Sequence, residues 1–485
     1  MKIHHAAIVG GGVAGLAAGI RLLQQGVRVS LFEANDTLGG CCSTTLVNGF
    51  RFNNGAMFVA VPNLLDHAFE RLQLHRATVL PMRRINTPQA SILPDDTLVT
   101  LGDRHHVRVE GKRGEARTVT LLGEIERCLA RWNPLLKIFT DDLLTRPMSL
   151  PRVFARTWRH LPKLRGSLAG ELRRGFSDPQ ARAALAAVTL YTGLPAERTP
   201  AFLIVGLVSM LQDGLYLPEG GMGAITDVLE STFRRLGGQV RTGAPVARIR
   251  IEGGRAHGLA LASGEVVAAD AVVSTTGGMH TFTELVEPSL VPPAMQRRVQ
   301  RAPLSHRTLG IQLGLRNRLL PPAHSVNHVP LMEEQSQFLL PQPDGVRWFN
   351  YTVPTRPMPD LAPAGGSIVE LFGAVDESLP LEAWSDEVRM TAAETYIAAL
   401  GRYQPLDIAT TRLLSPRDYA EHMHLHAGAV YGLSPAARPD QQFPHKTPLA
   451  GLFLAGQTTY PGFGVATSMF SGVFAADALL TPTRP

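Results

Sequence analysis

The stretch from Ala6 to Cys42 constrains the fold of this chain more than any other. A short apolar run, Ala6-Ala7-Ile8-Val9, passes without a break into Gly10-Gly11-Gly12-Val13-Ala14-Gly15. The run has the length of a buried parallel strand, and the glycines form GxGxxG at the entrance to a helix. Each glycine of the pattern serves a distinct purpose, since Gly10 allows the tight turn, Gly12 lets backbone approach a pyrophosphate, and Gly15 lets the helix lie close on the sheet. The spacing of Leu16, Ile20 and Leu23 predicts a helix over Val13 to Gln25, stopped at Gly26. A second strand, Val27 to Phe32, ends in Glu33. That carboxylate falls about 20 residues beyond the glycines, where a ribose needs an acceptor. Strand, glycines, helix, strand and terminal acid in that order define a dinucleotide site, with the anion at a helix N-terminus.

Two further glycine clusters narrow the choice of dinucleotide. Gly39-Gly40 follows Glu33, and then comes Gly49-Phe50-Arg51-Phe52-Asn53-Asn54-Gly55. A fold for NAD has no standing need of either. Near the other end, Gly451-Leu452-Phe453-Leu454-Ala455-Gly456 reads as a buried strand, Gln457 to Gly464 as a loop, and Val465 to Leu480 as a helix. Such a loop feeding a helix N-terminus can aim N–H donors at a group on which negative charge develops.

Together these motifs, with Tyr216-Leu217-Pro218-Glu219-Gly220-Gly221-Met222 and Ala429-Val430-Tyr431-Gly432-Leu433, resemble the phytoene desaturase and carotenoid isomerase branch of the amine oxidase superfamily. The resemblance covers both ends and a middle segment, and is weak between them. It implies FAD as cofactor, held by Gly10, Gly12, Val13, Ala14, Gly15, Glu33, Ala34, Gly40, Cys41, Asn54, Gly55, Ala56, Met57, Val246, Thr275, Gly456, Gln457, Gly464 and Val465. Three positions depart from the family pattern: Cys41 stands where an arginine is common, Asn53 where an aspartate is common, and Gln457 where an acid is usual.

The expected fold class is α/β, a discontinuous Rossmann-type FAD domain joined to a mixed sheet and a helical substrate and membrane domain. The cofactor domain is expected in three parts, 1–82, 215–279 and 422–485, with insertions at 83–214 and 280–421. In the first insertion Ser91 to Leu101 and Val107 to Val119 alternate like half-exposed strands. Arg131 to Arg182 looks least like core. Between Arg146 and Arg174 eight basic residues face the single acid Glu171, interleaved with Leu150, Phe154, Trp158, Leu161, Leu164 and Leu168. A segment of that kind suits either an anionic membrane interface or a solvated cap over a cavity. The second insertion is proline-rich, with strands expected near Thr308 to Leu315, Trp348 to Val353 and Ile368 to Ala374 and a helix from Ser385 to Leu400.

Composition excludes some functions. Lysine and arginine total 47 against 41 acids, a net +6 that is too small to argue for nucleic acid. Cys41, Cys42 and Cys128 have no disulfide or metal-ligand spacing, which points to a reducing, cytoplasmic setting and to no metal. No apolar run reaches the ~18 residues of a membrane span, so any membrane contact is expected to be peripheral. The expected partner is an apolar small molecule; the electron acceptor is not encoded in any motif.

The resemblance implies an FAD-dependent desaturase acting on CH–CH bonds of a long isoprenoid. A carotenoid cis–trans isomerase using reduced flavin has the same motifs. A flavin amine oxidase usually has a lysine near the flavin, and none lies between Lys163 and Lys446. A lipid-handling protein of the GDP-dissociation-inhibitor type, having lost flavin, is the reading outside enzymes; the intact glycines and Glu33 oppose it. Tyr460 is a weak candidate catalytic residue, with His424 and His426 beside it.

Overall fold

A computed structural model describes residues 3–337, 346 and 348–481. At its centre is a five-stranded, wholly parallel sheet in the order Gln239–Arg241, Arg28–Phe32, His5–Val9, Ala271–Ser274, Leu452–Leu454. These strands come from the beginning, middle and end of the chain. Ala6, Ile8 and Val273 face one core and Ala7, Val9 and Val272 the other, as the two-residue period of a strand requires.

The first face is covered by the helices Val13–Leu23, Gly223–Arg235 and Val465–Leu480. They pack at backbone distance, because a Cβ at Gly472 would collide with the Ala14 carbonyl and one at Gly19 with the Phe233 ring. The second face is covered by the antiparallel strands Val246–Glu252, Arg255–Leu261 and Val266–Ala268, which contribute Ile249 and Leu259. The chain therefore has the expected α/β class.

Strand Met82–Ile85 pairs with Leu215–Pro218, so the chain leaves and re-enters at one neck. Beyond it lies an eight-stranded mixed sheet, in the order Ile408–Leu414, Thr308–Leu315, Ser367–Ala374, Phe349–Thr352, Ser325–His328, Gln89–Ile92, Leu98–Leu101, Arg108–Glu110. The parallel pairing of Gln89–Ile92 with Ser325–His328 fuses the two inserted segments into a single sheet.

Two expectations from the sequence are corrected here. The stretch from Val107 to Val119 is strand only over Arg108–Glu110, and a helix runs over Gly114–Ile138. Its buried Leu121, Ile125, Cys128, Trp132 and Leu135 recur at helical spacing, and Thr118 bridges strand and helix by accepting from Val109 N at 2.9 Å and donating to the Gly114 carbonyl at 2.8 Å. Residues 131–182 are also not poor in core: Trp132, Leu135, Leu168, Leu172 and Phe176 are buried in the main cluster. Only part of the basic segment stands outside it. On the helix Leu150–Thr157 and the turn after it, Leu150, Phe154 and Trp158 are 69%, 63% and 50% exposed.

Candidate active site

A cavity of about 1210 Å³ runs from the glycine turn to the mixed sheet. Two long helices begin on it. The helix Val13–Leu23 starts on Gly12 and Val465–Leu480 on Gly464, and neither N-terminus has a side-chain cap or an acid in its first turn. Their leading N–H groups are thus left for something in the cavity. Gly10 is held with φ +98°, and a Cβ there would lie 2.6 Å from Thr275 Oγ1. At Gly15 a Cβ would collide with the Gly10 carbonyl. Gly12 is different: a Cβ built on it meets only the Gly39 carbonyl, at 3.9 Å, and points into open space. That gap against a helix N-terminus has the shape and polarity of a diphosphate cradle, so the residues fit a dinucleotide.

Glu33 stands at the end of the second strand, 6% exposed and lining the cavity. One carboxylate oxygen accepts from Gly11 N at 2.8 Å, the other from Asn35 N at 3.0 Å and Asn35 Nδ2 at 2.9 Å. The carboxylate is therefore fixed against the glycine turn, with lone pairs to spare for a ribose.

All of the expected cofactor residues line this cavity except Gly15, Ala34, Asn54 and Val246. Gly15 acts through helix packing. Val246 opens its strand and is brought near Glu33 by the bond from Ala244 N to the Glu33 carbonyl, 2.8 Å. Asn54 turns away to Ser43, Thr45 and Arg412, which donates to its Oδ1 at 2.7 Å. Tyr460 lies away from the residues that line the cavity: its hydroxyl donates to the Leu143 carbonyl, and its ring stacks on Phe474. It ties the helical insertion to the C-terminal helix, its proton committed to that carbonyl. His424 and His426 do line the cavity, with His280, whose ring lies 5.5 Å from that of His424. Burial, and then the neighbouring His424, pushes His280 down to about 4.

Burial also explains Cys41. Its thiol lines the cavity 3.9 Å from Met423 Sδ and is pushed up to about 11, so it stays protonated and adds no charge where an arginine is common.

The Asn53 substitution has its reason in Glu370, which no spacing in the sequence had singled out. Glu370 is 2% exposed and faces Asn53, which donates its backbone N–H at 2.7 Å and Nδ2 at 3.4 Å. An aspartate at 53 would set two carboxylates against each other; the amide pairs with one. Asn53 Oδ1 in turn accepts from Met222 N at 2.9 Å, and its carbonyl accepts from Gln312 Nε2 at 2.5 Å. The network clamps the chain just before Gly55, Ala56 and Met57 enter the cavity wall. Burial lifts the Glu370 carboxyl to about 7, against the Asn53 bonds and the more distant Arg412.

A sequence profile described as flavin containing amine oxidoreductase matches residues 13–480, and the chain belongs to that family. It is 28% identical to a zeta-carotene-forming phytoene desaturase of Myxococcus xanthus, over 98% of this chain and 93% of that one. It is 26% identical to a 4,4'-diapophytoene desaturase of a Methylomonas species, over 96% and 92%. A crystal structure of an oxidoreductase from Methanosarcina mazei shares the fold, with a TM-score of 0.64 at 18% identity, covering 98% of this chain and 100% of that one. As a member of that family the protein is an FAD-dependent oxidoreductase.

Two outcomes follow from this geometry. Gly12→Val fills open space, so the variant should fold with near-normal Tm yet lose FAD, measured by flavin fluorescence titration; full FAD occupancy would remove the diphosphate from Gly12. The folded Glu370 carboxyl titrates near 7 against 4.5 unfolded, so the folded state keeps its proton to higher pH. Stability is then unpenalised below the unfolded value and declines as pH rises toward 7. Glu370→Gln has no proton to lose, so its stability relative to wild type should rise between those pH values, by on the order of 3 kcal/mol. A difference independent of pH in urea unfolding would contradict this.

Proposed function

We infer that the protein dehydrogenates CH–CH bonds of a long apolar isoprenoid or polyene, working at the surface of an anionic membrane. The observation that carries the substrate is the wall of the cavity beyond the glycine turn. Met57, Phe58, Val59, Leu64, Leu194 and Phe372 line it, and they come from the cofactor core and from both inserted segments. An extended apolar molecule gains burial along such a wall, whereas a small amine would leave most of it in contact with water. The relatives from Myxococcus and Methylomonas are desaturases of molecules of this kind by name. The absence of any lysine between Lys163 and Lys446 supports the same choice over amine oxidation.

FAD, when bound, supplies the two-electron oxidation. The chain's own residues would bind and orient it: Gly12 and the first helix N-terminus would hold the diphosphate, Glu33 the ribose, and the helix after Gly464 the end where negative charge develops on reduction. Gln457, in the wall where the family has an acid, offers an amide in place of a charge.

For the membrane, charge complementarity supports an anionic bilayer. Several bases of the segment are already paired: Arg146 and Arg156 with Asp142 at 3.3 and 2.5 Å, Arg173 with Glu197 at 3.1 Å, and Arg174 with Glu171. Arg152, Arg159, Lys163 and Arg165 have no carboxylate partner among the described residues. They flank the exposed Leu150, Phe154 and Trp158, and Arg159 lies over the Trp158 ring at 5.0 Å. Among the described residues no helix is long and apolar enough to cross a membrane. Such a surface inserts a shallow apolar edge while its bases meet headgroups, each contributing about 1 kcal/mol.

Anaerobic mixing with a partly saturated polyene should bleach the oxidised flavin and give a product about two mass units lighter for each step. A product of unchanged mass, formed only after flavin reduction, would make the protein an isomerase; rapid bleaching by a small primary amine would overturn the substrate reading. Flotation with vesicles should require anionic lipid, weaken with salt, and fail for a Leu150→Ser, Phe154→Ser, Trp158→Ser triple variant. Equal flotation with neutral vesicles would refute the electrostatic part.

A further inference from the structure

We propose that His306 is the proton acceptor of the dehydrogenation, taking the proton from the carbon next to the one that gives up hydride. This rests on the substrate reading above. His306 lines the cavity just before strand Thr308–Leu315. Its Nδ1 has no hydrogen-bond partner and is buried against Gly193, where an added Cβ would collide with the imidazole. The acceptor role in this proposal falls to the other ring nitrogen, Nε2. Gly193 is held with φ +66°, which favours glycine at the one position that must stay small for the ring to fit.

Two contacts place this imidazole beside the cofactor. Residues 305–306 pair with 430–432: Val430 N donates to the His306 carbonyl at 3.2 Å, Ser305 N to the Gly432 carbonyl at 3.2 Å, and Tyr431 N to Ser305 Oγ at 2.9 Å. The Tyr431 ring meets His306 edge-on at 5.7 Å and packs on Phe463 at 4.7 Å. Phe463 directly precedes Gly464, where the C-terminal helix begins. A Cβ on Gly432 would meet Thr458 at 2.7 Å and Gln457 Nε2 at 3.4 Å. The base and the loop that receives the flavin ring are thus two sides of one packed layer.

The surroundings keep His306 in its basic form. Arg198, Asp376 and Glu377 share the cavity wall, but among the described residues no charge shifts this imidazole, and the adjacent Arg307 is turned away to the carbonyls of Ala427 at 2.8 Å and Leu379 at 2.8 Å. Burial pushes the imidazole down to about 4, opposed only by the Thr192 backbone. It is neutral across the physiological range and holds a lone pair in an apolar space. So weak a base would not remove a proton from an alkane. The proton it meets is different, because it lies next to a carbon that has lost hydride and carries delocalised positive charge.

Atoms and electrons balance in this step. One C–H bond breaks and both its electrons leave with hydrogen as hydride to oxidised FAD, the oxidant of the established activity. The neighbouring C–H pair becomes the second bond of a new C=C, and its proton passes to Nε2 of His306, giving imidazolium. The substrate loses two hydrogens and FAD gains two electrons.

The test compares wild type with His306→Gln and His306→Ala as FAD-loaded proteins, using stopped-flow flavin bleaching by the polyene without oxygen. FAD and polyene binding are measured separately, by flavin fluorescence and by the shift of the polyene spectrum. The expected result is unchanged binding, bleaching slowed on the order of 100-fold in both variants, partial rescue of His306→Ala by added imidazole, and loss of the acid limb that wild type shows near pH 4. Bleaching at the wild-type rate, an acid limb that persists in His306→Gln, or loss of FAD binding in both variants would each overturn the proposal, the last by giving the ring a structural role. If wild type itself is not bleached by the polyene, the substrate reading fails and takes this assignment with it.

Discussion

The fold depends on backbone N–H groups that the protein leaves unpaired. A helix that starts on a glycine, with no capping side chain and no acid in its first turn, has donors that must find an acceptor elsewhere. Two long helices of this chain do so, at Gly12 and at Gly464, and both start in one cavity. The two helices lie side by side, in contact close enough that Gly472 has no room for a Cβ beside Ala14. A ligand negative at both ends, with a diphosphate at one and a reducible ring at the other, satisfies the two demands together.

From that requirement the rest of the architecture follows. Helix starts can converge only if their strands are neighbours, and the sheet order places His5–Val9, Ala271–Ser274 and Leu452–Leu454 side by side although they are far apart in the chain. The intervening segments must then leave the sheet and return, which they do by building a second, mixed sheet that closes the cavity. The site is thus shared: the parallel core would hold the cofactor, while Glu370 and His306 are delivered by the outer sheet and the segment leading into it.

What the sequence made legible was whatever repeats a local rule. GxGxxG between strand and helix, Glu33 at the strand end, and the Gly456 to Gly464 loop each declare themselves within a few residues, and the helix Val465–Leu480 begins and ends where its pattern said. The wall of the cavity was not legible, because Leu194, His306 and Phe372 are brought to it only by tertiary pairing and share no spacing. Asn53 departs from the family pattern for a reason that only the fold supplies, the Glu370 carboxyl opposite it. Tyr460 misled for the converse reason: its place in a motif suggested chemistry, while its hydroxyl is committed to a carbonyl of the helical insertion. Alternation over Val107 to Val119 failed where Thr118 and the buried helical stripe overrode a strand-like pattern.

The claim that both uncapped helix starts serve one ligand is tested most directly by titrating flavin-free protein with FAD and with riboflavin, following fluorescence quenching. The account predicts one noncovalent FAD per chain and far weaker binding of riboflavin, which lacks the diphosphate that the Gly12 turn receives. Equal affinity for the two, or no saturable binding of FAD, would contradict it.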